Sequence, residues 1–85
     1  MKINAATSYL LHKMIDTLID LNNDGNDSSI NICMAAGAVS VTITLYDGEC
    51  EARKAPTVLH GYSNGKRGES IQSVLDKVKH RNDER

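Results

Sequence analysis

Apolar and polar positions recur along this chain with two different periods, and each change of period marks an element. Leu10, Leu11, Met14, Ile15, Leu18 and Leu21 follow helical spacing, with Ile3 and Ala6 extending the stripe backward and Lys13, Asp16 and Asp20 lying off it. The spacing predicts a helix from about Asn4 to Leu21. It ends in Asn22-Asn23-Asp24-Gly25-Asn26-Asp27, residues that accept left-handed backbone angles and bond their own main chain. Period two then takes over. Ile30, Ile32 and Met34 alternate with Asn31 and Cys33, and after the small residues Ala35 to Ala38 the stretch Val39 to Tyr46 alternates without a break.

Asp47-Gly48 is the favoured pair for a two-residue hairpin turn, so a third strand is predicted to run back from Glu49. That register sets Tyr46 opposite Glu49, Leu45 opposite Cys50, Ile43 opposite Ala52 and Thr42 opposite Arg53. Cys50 and Ala52 then join the buried face. Pro56 ends the third strand, and Thr57 to Tyr62 adds a short fourth. Ser63 to Gly68 reads as a loop. Ser70 is the expected N-cap of a last helix whose stripe is Ile71, Val74, Leu75 and Val78, and residues 82–85 are expected to fray.

The fold class expected is α+β. One domain spanning 1–85 has the order α-β-β-β-(β)-α, with two helices packed on one face of an antiparallel sheet. Composition sharpens this picture in one respect. The chain has 85 residues, three tyrosines and neither Phe nor Trp, so the core must be aliphatic and thin. A thin core in a short chain favours burying further apolar surface between copies, so a homodimer is expected.

The formal net charge of −1 supplies no global field toward nucleic acid or membrane. No stretch approaches the ~20 apolar residues of a membrane span. Lys13, Asp16 and Asp20 interrupt what would be a signal-peptide core, so a cytoplasmic location is expected. Two cysteines are too few for a disulfide scaffold, and in the expected register they point to opposite sides of the sheet. Both are read as free thiols, and Cys50 as a buried one.

Candidate chemistry is sparse. Asp20-Leu21-Asn22-Asn23-Asp24-Gly25 opens like a calcium loop, but Asn31 at the twelfth position cannot give bidentate carboxylate coordination. No metal and no cofactor are expected. His12, His60 and His80 form no pair with ligand spacing, and neither cysteine has a histidine nearby in sequence, so no catalytic residue is assigned and the chain is not read as an enzyme.

Gly65, Lys66, Arg67 and Gly68 precede the N-terminus of the last helix, where free N–H groups favour anions. With His60, Tyr62 and Ser70 they form a candidate site for a nucleotide or phosphate anion. The polar side of the sheet, carrying Thr42, Thr44, Tyr46, Glu51 and Arg53, is the candidate surface for another protein. The leading expectation is a non-enzymatic interaction or regulatory protein binding another protein. A small-ligand binder is the alternative.

The α-β-β-β-α order resembles that of the double-stranded RNA-binding domain, as topology over most of the chain. Glu69-Ser70-Ile71-Gln72 stands where that family has a basic, Ala-rich helix start, and the near-neutral charge gives a polyanion little to hold. A weak nucleic-acid-binding module is therefore the last alternative, and nucleic acid is not an expected partner. In being short, single-domain and nearly neutral, the chain also resembles accessory proteins of phages and other mobile elements. That resemblance implies an inhibitor or host-modulating role.

Overall fold

The computed structural model describes residues 2–50, 55–64 and 67–83. Helix α1 spans Ala5–Asn23, strands β1, β2 and β3 span Ser28–Ala35, Ala38–Leu45 and Thr57–Tyr62, and helix α2 spans Ile71–Asp83. The sheet is antiparallel in the order β1-β2-β3, and the α+β class read from the periodicity is the observed one.

Each helix begins where its cap dictates. Asn4 Oδ1 accepts the Thr7 N–H at 2.8 Å, and Ser70 Oγ accepts the Ser73 N–H at 3.1 Å. Leu11, Met14, Leu18 and Leu21 of α1 and all four stripe residues of α2 are buried against Val39, Val41, Ile43 and Leu45 of β2. The α2 helix continues through Asp83, past the point where fraying is expected, and Arg81 Nη1 in its last turn donates to Thr57 Oγ1 at 3.0 Å.

The segment expected as a short fourth strand, Thr57–Tyr62, forms with those bounds and takes the place beside β2 expected for the segment from Glu49, so Leu45 faces Thr57, Ile43 faces Leu59 and Thr42 faces His60. These pairs replace the expected partners Glu49, Cys50, Ala52 and Arg53, of which Ala52 and Arg53 lie outside the described residues. Two forces account for the change. The stretch from Glu49 would bring only Cys50 and Ala52 to the buried face, whereas β3 brings Leu59 and leaves room for α2 at Gly61.

The Asp47-Gly48 turn is meanwhile claimed by the residues that end α1. Asp27 donates its N–H to Gly48 O at 2.8 Å, Asn26 Oδ1 accepts the Gly48 N–H at 3.0 Å, and Asp27 Oδ2 accepts the Cys50 N–H at 2.8 Å. The chain after β2 is thereby folded onto the α1–β1 turn. Cys50 is exposed there, not buried, and as expected neither cysteine is in a disulfide.

The two-residue hairpin turn lies instead at Ala36-Gly37, between the paired residues Ala35 and Ala38. Both turn residues have positive φ, 52° at Ala36 and 77° at Gly37, as a type I′ turn requires. An L-residue held there costs roughly 1–2 kcal/mol, and asparagine tolerates the conformation better than alanine. Ala36→Asn is therefore expected to raise stability by about 0.5–1 kcal/mol, or roughly 2–8 °C in melting temperature. A thermal melt by circular dichroism checks it, and an unchanged or lowered melting temperature would show that the turn is not strained.

Candidate functional site

Alternation along the strands sends one set of side chains to the helices and the other to the opposite face of the sheet. The helix-distal face is built from three cross-strand rows. Ser29, Thr44 and Val58 form the first, Asn31, Thr42 and His60 the second, and Cys33, Ser40 and Tyr62 the third. No helix of the described residues covers this face. It is polar but, apart from His60, holds no ionisable side chain other than the Cys33 thiol and the Tyr62 phenol. Val58 is 48% exposed at one corner.

The central row is tied together. Thr42 Oγ1 and His60 Nδ1 lie 3.2 Å apart across β2 and β3. A hydroxyl beside an imidazole serves as a nucleophile–base pair where a third group orients the base. This pair stands on an open face, and its geometry is that of a cross-strand hydrogen bond.

The face ends at the loop before α2. Ser63 extends the β2–β3 pairing, its N–H donating to Val39 O and its Oγ accepting the Val39 N–H, both at 2.8 Å. The Tyr62 ring lies over Gly68, where an added Cβ would stand 3.2 Å from Cε2, and the Tyr62 N–H donates to Glu69 O at 2.9 Å. Arg67 reaches the third row, bounding a shallow hollow of about 110 Å³ with Cys33, Ala35, Ala38, Val39 and Ser40.

Described residues from the two surfaces expected separately thus adjoin. His60 and Tyr62 sit on the same face as Thr42 and Thr44, with Arg67 and Gly68 at its margin. Tyr46 lies just beyond β2 and is half-buried, its N–H donating to Asp27 O at 3.0 Å. Glu51, Arg53, Gly65 and Lys66 lie outside the described residues.

The start of α2 carries its own anion. A hydrogen bond from Lys77 Nζ to Glu69 Oε1 at 2.6 Å lowers the Glu69 carboxyl below its ordinary 4.5; partial burial opposes this, and the Lys77 charge and a Ser73 hydrogen bond add to it. The Ser70 hydroxyl therefore already caps the first turn of α2, and the Glu69 carboxylate, held by Lys77, already places a negative charge at the helix start where an incoming phosphate would bind.

Asn22, within the stretch that resembles a calcium loop, and Asn26 and Asp27 just after it are engaged structurally. Asp27 Oδ1 accepts from Asn22 Nδ2 at 3.2 Å, while Asn26 and the other Asp27 oxygen hold the 48–50 backbone. Among the described residues no group of three or more His, Cys, Asp or Glu side chains is placed to hold a metal ion. No helix among them is long and apolar enough to cross a membrane. No family model, curated protein or solved structure matches this chain.

Proposed function

We propose that this chain is a non-enzymatic interaction module that binds another protein through the helix-distal face of its sheet, in the cytoplasm. The observation that carries the reading is the face of three cross-strand rows, uncovered and nearly uncharged among the described residues, with Val58 and Tyr62 in its outer rows. Such a face offers hydroxyls, an amide and an imidazole for hydrogen bonding around an apolar corner, on strands fixed by the core beneath them. An accessory or inhibitor role would act through the same surface.

The small-anion alternative has less support, because Glu69 occupies the helix start on which it relied. Val58→Lys places a charge at the apolar corner of the face without touching the core, so the melting temperature should stay within about 2 °C of wild type. Affinity capture with wild-type and Val58→Lys protein tests the proposal. A partner held by the first and lost from the second is expected, and equal capture by both would contradict the assignment of this face.

A further inference from the structure

We infer that the open edge of β1 and the apolar groove beside it bind a second copy of this chain, joining two sheets into one of six strands. The inference is independent of any partner on the helix-distal face.

The groove arises because α1 packs mainly on α2 and touches β1 more sparsely. Two hollows of about 250 and 290 Å³ run along it, with Ile15, Ile19 and Ile30 at one end and Ile3, Ile32 and Met34 at the other. Of the five exposed large apolar side chains among the described residues, three lie here: Ile15 at 38%, Ile19 at 51% and Met34 at 59%.

The strand beside the groove carries neither of the two sequence devices that commonly block pairing. Its sequence, Ser28 to Ala35, contains no charge and no proline. Asp27 directs its N–H and C=O toward the β2 side, to Gly48 and Tyr46, so by alternation Ile30, Ile32 and Met34 turn theirs outward. The opposite edge, β3, is different. It follows Pro56, carries His60, and is bridged at its end by Ser70.

What identifies the occupant is the self-complementarity of this edge. Antiparallel pairing of β1 with its own copy, about a twofold axis normal to the sheet, keeps both helix layers on the same side. It also sets α1 antiparallel to its counterpart. The charges in and beside α1 suit that arrangement and oppose the helix dipole: Lys2, ahead of the helix, and Lys13 within it precede Asp16, Asp20 and the C-cap Asp24, with no acidic residue in the first turn and no basic residue in the last. Antiparallel packing brings the acidic C-terminal end of each helix toward the Lys2 end of the other.

The dimensions are sufficient. Eight strand residues span ~27 Å and nineteen helical residues ~28 Å, so a strip two layers deep, ~20 Å across, is on the order of 500–600 Å² flat on each copy. With side-chain relief that reaches the lower end of a stable interface, ~600 Å² per partner.

Light scattering on the eluting full chain tests the inference, with amide exchange as a second readout. The wild type is expected at twice the chain mass, with the Ile30 and Ile32 amides exchanging more slowly as concentration rises. Met34→Lys and, independently, Ile19→Asp should weaken dimerisation at least tenfold while keeping the wild-type circular dichroism spectrum. Val58→Lys, on the other face, should leave the dimer intact. Two results would overturn the inference: a monomeric wild type whose Ile30 and Ile32 exchange is independent of concentration, or a dimer that persists in whichever of the two groove variants folds.

Discussion

Replacing Ile43 with alanine is expected to cost about 2–5 kcal/mol of unfolding free energy. Ile43 is fully buried at the centre of the middle strand, facing Ile30 on one side and Leu59 on the other. The surrounding core is drawn from α1, β2 and α2 and has no aromatic ring to swing into the vacated space. A domain of 85 residues typically holds only about 4–13 kcal/mol in total, so the loss is a large share of it. The melting temperature should fall by roughly 10–30 °C. A fall below about 5 °C would mean that the site collapses around the smaller side chain or that the core lies elsewhere.

Gly61 is the second position where a small change should act strongly, for the opposite reason. A Cβ there would stand 3.0 Å from Val74 Cγ2, 3.1 Å from Val41 Cγ2 and 3.3 Å from the Ile71 Cα. The glycine serves to let α2 approach β3 and not to supply an unusual backbone angle. Gly61→Val forces the helix outward, at about 1–3 kcal/mol of overpacking strain. The denaturant midpoint should drop accordingly, with Gly61→Ala intermediate. Because Tyr62 and Ser70 are bridged next to this contact, the same displacement should disturb the end of the helix-distal face. A rise in midpoint for Gly61→Val would show that strand propensity outweighs the contact, and that α2 has room to move.

The parts of this fold that were legible in the sequence are those whose periodicity reflects burial on one side. The α2 stripe and the inward residues of β2 are all buried as their spacing predicts, and both caps fall on the residue types suited to them. Turn chemistry was less informative. Asp47-Gly48 carries the stronger hairpin signal, yet the two-residue hairpin turn is the one at Ala36-Gly37, while Asn26 and Asp27 bind the 48–50 backbone from far away in sequence.

No local rule expresses that tertiary contact. Gly61 was equally silent, since a glycine needed for room looks like any other glycine in a short strand. The groove was missed because Ile15 was assigned wholly to the core and Ile19 fell outside the stripe, although both were visible as apolar residues on a third side of α1. Of the candidate residues, Thr42, Thr44, His60 and Tyr62 share one face. That result required knowing that β3, not the segment after Gly48, is the neighbour of β2.

The central claim, that the helix-distal face is where a protein partner binds, is tested most directly by mapping amide shifts of the labelled chain on adding the captured partner. The account predicts the largest changes at Asn31, Thr42, Thr44, Val58 and His60. Changes confined to α1 and the β1 edge, or to the loop before α2, with those five residues unmoved, would contradict it.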